Sequence, residues 1–220
     1  MPSLVLFDID GTLVRRAGPH HREALAAAIR AVTGLETTTE GIPVHGMLDP
    51  DILTGMMLRA GFDAGRAAAL LPDVLKAAEQ AYLRGVPDLT DKRCPGVIPV
   101  LEGLTERGAI LALVTGNLTR IGWHKLERAG LGHYFRFGAF GEMAPTRGGL
   151  ARLAIERARG EYQIDRISLI GDAMQDVLAA RENAIRSIAV RTGITPAAEL
   201  EAAAPDLILE DLTHLDLSII

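Results

Sequence analysis

The residues in this chain best suited to chemistry are carboxylates at the ends of apolar runs. The first run is LVLFDIDGTLV, residues 4–14. Residues 4–7 are apolar without alternation, the pattern of a strand buried on both faces of a parallel sheet. Asp8 and Asp10 follow it, and Gly11 lets the chain turn. Strand periodicity points Asp8 and Asp10 to one side and Ile9 to the other. In an open α/β sheet, the crevice beyond the carboxyl ends of the strands is where ligands bind. Two convergent carboxylates repel each other unless a cation or a shared proton relieves them. A hard divalent cation with oxygen ligands supplies that relief, and in phosphate chemistry it is usually Mg2+.

Two further strand ends carry polar groups. The apolar run ISLI, residues 167–170, leads into Gly171-Asp172, and Asp176 lies four residues beyond Asp172, one helical turn away on the same side. Acids at a helix N-terminus need no further reason than the helix dipole. A second acidic strand end in one sheet argues instead for a shared site. The run ILALVT ends at Thr115, followed by Gly116 and Asn117. A hydroxyl and free backbone amides just before a helix suit an anionic oxygen, although a threonine there could equally cap the helix.

The elements that must position these residues alternate along most of the chain. Expected strands are residues 110–115, 135–140, 167–170, 187–190 and 207–209, separated by helices over 97–107, 118–129, 146–159, 174–183 and 196–203. This alternation predicts an α/β fold with a parallel sheet flanked by helices. Between the first strand and this series, residues 19–31, 49–60 and 64–84 read as helices, the last with a break near Pro72. Asp49-Pro50 reads as N-cap and first helical residue. The expected organisation is a discontinuous core, residues 1–14 and 91–220, with residues 15–90 inserted as a helical cap that excludes water. In the insertion, Met56 and Met57 are expected in the helix core, and His20 and His21 in solvent at a helix start. Trp123, outside it, is expected to pack.

Composition narrows the function classes. The 220 residues, 48% hydrophobic, suffice for a sizeable core. Net charge is −5, with no basic stripe or aromatic-rich patch of the kind nucleic acid requires. No apolar stretch reaches the length of a membrane span, and the first residues do not resemble a signal peptide. The lone cysteine, Cys94, fits a reducing cytoplasm and reads as inert.

The string DIDGTL resembles the first signature of the haloacid dehalogenase superfamily, in its phosphoryl-transfer branch, and the resemblance extends over nearly the whole chain. Within it the phosphoglycolate-phosphatase-like group with a helical cap is the most similar. The resemblance implies a Rossmann-like core and a Mg2+-dependent phosphatase acting on a small phosphorylated metabolite, as a monomer or homodimer. It implies Asp8 as nucleophile, Asp10 as general acid–base, and Thr115 with Gly116 and Asn117 at the phosphoryl group. Asp8, Asp10 (through its backbone carbonyl) and Asp172 would hold the metal, and Asp176 would support that shell. Ala173 stands where many relatives carry Thr or Ser. The third signature departs most. Relatives place a Lys there, often before Pro, whereas GEMAPTRGGLARLAIERA has none. Arg147 is the best positional match, Arg152 the second, and Lys125, one helix earlier, a poorer one. Arg147 beside Gly148 and Gly149 is a poor helix start unless an anion lies near, with the glycines letting the backbone approach a ligand. A phosphomutase of the β-phosphoglucomutase type is the nearest rival. A dehalogenase does not need Asp10. A catalytically silent binding protein is the reading that the altered third signature favours.

Overall fold

The computed structural model describes residues 2–15, 19–85 and 87–220. Its strands are β1 (Leu4–Phe7), β2 (Ile110–Val114), β3 (Phe137–Ala139), β4 (Ile167–Gly171), β5 (Arg186–Val190) and β6 (Leu207–Leu209). They form one six-stranded sheet in the order β3-β2-β1-β4-β5-β6, with every neighbouring pair parallel. The helices are α1 (His20–Thr33), α2 (Asp49–Arg59), α3 (Ala64–Leu83), α4 (Val97–Glu106), α5 (Thr119–Arg128), α6 (Arg147–Glu161), α7 (Met174–Glu182) and α8 (Ala197–Ala202).

The central strands are apolar throughout because both faces are covered. Val5, Phe7, Leu111 and Leu113 pack on one face against Val100 and Leu104 of α4 and Leu126 of α5. Leu4, Leu6, Ala112 and Val114 pack on the other against Leu150 and Ala154 of α6 and Ala179 and Ala180 of α7. Each large apolar side chain so buried contributes roughly 1.5–3 kcal/mol. The helices between β1 and β2 build a separate apolar cluster from Leu25, Ile29, Leu53, Met56, Met57, Val74 and Tyr82, which Leu118 and Ile121 join.

Register explains how distant residues meet. Phe7 lies level with Leu113 of β2 and Ile170 of β4. Asp8, Thr115 and Asp172 therefore leave three adjacent strands at nearly the same height, and Asp8 N donates to Ile170 O at 3.0 Å. The chain winds from β1 to β2 on one side and resumes at β4 on the other, which opens a crevice at the strand ends between them.

Two local expectations fail. α3 runs unbroken through Pro72. Proline removes one backbone donor and crowds the preceding turn, but Ala67, Val74 and Ala78 of the same helix are buried against Leu25, Ala28 and Ile29 of α1, and this packing holds the helix straight through. Asp49 does not cap α2. Leu48 is the N-cap, and the Asp49 carboxylate accepts from Leu118 N at 2.9 Å in α5's first approach. Among the described residues, no helix is long and apolar enough to cross a membrane.

Candidate active site

Asp8, Asp10, Thr115, Gly116, Asn117, Arg147 and Asp172 all line one cavity of about 350 Å3 at the carboxyl ends of β1, β2 and β4. Asp176 lies just beneath, buried. Arg152, the second candidate for the missing lysine, points away on the exposed side of α6.

The nucleophile candidate sits in an acidic cluster bridged by one guanidinium. Asp8, Asp172 and Asp176 each offer an oxygen, and these oxygens lie within 4.8 Å of one another. Arg147 Nη1 donates to Asp8 Oδ1 at 3.1 Å and to Val114 O at 3.2 Å, and its Nε lies 3.4 Å from Asp176 Oδ1. Burial disfavours the guanidinium charge, but Asp176 and Asp8 more than compensate and hold it protonated. Thr146 caps α6 by accepting from Gly149 N at 3.0 Å, which fixes Arg147 as the first helical residue. The glycines beside it serve a different purpose from ligand approach. A Cβ at Gly148 would collide with the Glu182 carboxylate of α7, so this glycine permits close helix packing, whereas a Cβ at Gly149 would press on Ala144 and Thr146.

Asp176 has two tasks. Its Oδ2 accepts from Ala173 N at 3.1 Å, the capping interaction expected of an acid in a first helical turn. Its Oδ1, and Oδ2 of Asp172, are buried and have no hydrogen-bond partner. Gly11 and Gly193 press on Asp172, since a Cβ at either would collide with its carboxylate. Three hard oxygen donors, two of which accept no hydrogen bond and have only longer charge contacts (Asp176 Oδ1 to Arg147 at 3.4 Å, Asp172 Oδ2 to His45 at 3.7 Å), fit a divalent cation such as Mg2+. The Asp10 carboxylate is not in this group.

Asp10 instead faces Lys125. Lys125 Nζ lies 2.7 and 2.6 Å from its two oxygens, and Asn117 Nδ2 donates to Oδ2 at 2.8 Å. Burial alone would raise the Asp10 carboxyl, but the Lys125 ammonium, foremost, and the hydrogen bonds from Lys125 and Asn117 bring it down to about 2. Thr115 does not cap α5. Its Oγ1 accepts from Asn117 Nδ2 at 2.7 Å beneath the cavity. His21 is not a solvated residue either: its Nε2 lies 3.0 Å from Asp49 Oδ1, and its ring joins the cavity wall. Sequence reasoning weighs Lys125 only as a poorer match for the third-signature cation, expects His21 in solvent and reads Asp49 as a helix cap; none is expected beside Asp10. The available signal was a lysine at the buried stripe of α5, beside Ile121, Gly122 and Leu126.

The acidic cluster predicts a pH signature. Burial lifts the Asp176 carboxyl to about 7 and also raises that of Asp172, where repulsion from Asp8 and Asp176 adds. Between the ordinary carboxyl value of 3.8 and about 7, the folded chain therefore binds more protons at Asp176 than the unfolded chain, so stability falls as pH rises. Asp176→Asn keeps an acceptor for Ala173 N and removes the charge. In thermal melts without divalent metal, wild type is expected to lose stability from about pH 4 to pH 7 relative to Asp176→Asn. Added Mg2+ is expected to raise the wild-type Tm more at pH 7 than at pH 5. Parallel pH profiles for the two proteins would contradict the assignment.

Comparison with known proteins agrees with this geometry. A family model described as a haloacid dehalogenase-like hydrolase matches residues 2–183. The chain is 30% identical to the phosphoglycolate phosphatase of Agrobacterium fabrum over 96% of its own length and 90% of that protein's. It is 29% identical to phosphoglycolate phosphatase 1 of Pseudomonas aeruginosa over 98% and 79% of the respective chains. A crystal structure of a predicted phosphatase from Clostridium acetobutylicum superposes with a TM-score of 0.70 at 22% identity, covering 97% and 95%, which speaks for the shared fold.

Proposed function

We infer the reaction from one premise: the chain belongs to the haloacid dehalogenase-like hydrolase family, as a phosphoric monoester hydrolase. We propose that it hydrolyses a small phosphate ester in two steps through an aspartyl-phosphate. The observation that carries this reading is Asp8 at the end of β1, buried, 3.1 Å from Arg147 and facing a cavity of about 350 Å3. An Asp8 oxygen attacks phosphorus and the ester oxygen leaves, taking its proton from the Asp10 carboxyl, which in the free protein is ionised and takes up that proton from the entering phosphate monoester. Water then attacks the acyl phosphate, and Asp10 takes up the proton it releases. Arg147, the Thr115 hydroxyl and the amides of Gly116 and Asn117 bind the phosphoryl oxygens as charge spreads over them. Asp8, Asp172 and Asp176 would hold Mg2+, with the backbone carbonyl of Asp10 proposed as a further ligand, and when bound it would neutralise phosphoryl charge. The helices α1, α2 and α3 act as the cap, bringing Arg22, His20 and His21 to the cavity wall beside Arg15.

These basic groups suit a substrate with a second anionic group, and 2-phosphoglycolate is the first compound to try, given the names of the two relatives. Phosphate release is measured across a panel of phosphometabolites that includes 2-phosphoglycolate and hexose phosphates. Release of free phosphate supports the reading, and isomerised sugar phosphate without release would favour a phosphomutase instead. A silent binding protein would release none. A chelator is expected to abolish release and Mg2+ to restore it, because the carboxylates and the phosphoryl group repel without a cation. Full activity in excess chelator would overturn the metal's role.

A further inference from the structure

A lysine only 4% exposed is a costly residue to bury, and Lys125 has no packing reason to be one. Its neighbours on that face of α5, Ile121, Gly122 and Leu126, are buried apolar positions. The ammonium is accounted for proton by proton. It donates to Asp10, to Asn117 Oδ1 at 2.7 Å, and towards His21 Nδ1 at 3.3 Å. Since His21 Nδ1 faces a donor, the network assigns the ring proton to Nε2, which gives it to Asp49. Asp49 is fixed in turn by Leu118 N. Two cations thus divide the two leading carboxylates: Arg147 holds Asp8, and Lys125 holds Asp10.

We propose that Lys125 is a positioning residue for Asp10, clamping its carboxylate at the leaving-group side of the cavity and tying it through His21 and Asp49 to the helices between β1 and β2. The inference rests on the reading of Asp10 as the acid–base group. Asp10 oxygens that touch both Lys125 and Asn117 have one orientation open to them. With Lys125 removed, one bond from Asn117 remains, and the carboxylate is free to turn to water or towards the acidic cluster. Proton transfer requires the group within hydrogen-bond reach of the ester oxygen.

Leaving-group dependence is the test. An alkyl phosphate needs a proton on its departing oxygen, whereas a dinitrophenyl phosphate does not. Lys125→Met keeps the stem's packing and removes the charge. It is expected to lower kcat about 100-fold on an alkyl phosphate and at most about threefold on dinitrophenyl phosphate, with KM nearly unchanged. Asp10→Asn, measured alongside, should show the same split. Lys125→Gln, which can still donate to Asp10, should fall between wild type and Lys125→Met on the alkyl ester, and it carries the comparison if Lys125→Met does not fold. An equal loss on both esters, or no loss, in the Lys125 variants while Asp10→Asn shows the split would overturn the role given to Lys125. No split in Asp10→Asn itself would overturn the reading of Asp10, and the positioning role with it.

Discussion

Asp8→Asn is expected to reduce phosphate release by about 10,000-fold or more, to the limit of detection, while the protein folds as well as wild type. The amide is nearly isosteric but cannot form the acyl phosphate, so no residual path through Asp8 remains. Stability separates this from an unfolding effect. Asp8 is one of the anions that repel Asp172 and help raise its carboxyl. Removing that charge relieves the buried cluster in the absence of metal. Arg147 loses the charge of its partner at 3.1 Å, where the amide oxygen can still accept, and keeps Asp176 at 3.4 Å and the Val114 carbonyl at 3.2 Å. The melting temperature of metal-free Asp8→Asn should therefore equal or exceed that of wild type, and its response to Mg2+ should shrink. Asp10→Asn, by contrast, leaves the nucleophile in place and should retain measurable release. Turnover by Asp8→Asn comparable with wild type, with matched melts, would place the nucleophile elsewhere.

What could be read from the sequence follows from how local each signal is. Apolar runs without alternation mark the central strands, and a carboxylate closing such a run marks the crevice side of the sheet, so Asp8 and Asp172 are legible without the fold. Arg147 is legible for a similar reason: Thr-Arg-Gly-Gly is a poor helix start unless something outside the helix compensates, and Asp8 and Asp176 do so. Contacts that depend on long-range packing leave a weaker trace. Lys125 looks like an ordinary solvated helical lysine until its stripe is drawn through Ile121 and Leu126, and its partner lies 115 positions away. Asp49 sits before a proline where a cap is the local expectation, yet it accepts from an amide 69 positions on. Pro72 would break an isolated helix, but the apolar face that α3 shares with α1 outweighs the lost donor. In each case the nonlocal term reversed a sound local preference.

Arg147→Ala is expected to lower turnover at least 100-fold and also to destabilise the metal-free protein by about 3–5 kcal/mol, the cost typical of breaking a buried ion pair on one side. Arg147 is 7% exposed and stands among Asp8, Asp172 and Asp176, all nearly inaccessible to water. Without it, three carboxylates share a buried cluster with no cation, so the stability loss should be largest at neutral pH and should shrink as pH falls and Asp176 and Asp172 take up protons. Mg2+ should recover much of the stability, since it supplies charge to the same oxygens, but little of the turnover, since it does not replace the donor to Asp8 and the phosphoryl group. Arg147→Lys tests geometry apart from charge. Lysine keeps the cation but offers a point charge in place of a fork that reaches Asp8, Asp176 and the Val114 carbonyl together. It should therefore retain most of the stability and a measurable part of the turnover. Melts and phosphate release on the same preparations, with and without Mg2+, give both readouts. Arg147→Ala with wild-type turnover, alongside an inactive Arg152→Ala, would move the phosphoryl cation to Arg152 and leave Arg147 as a structural bridge.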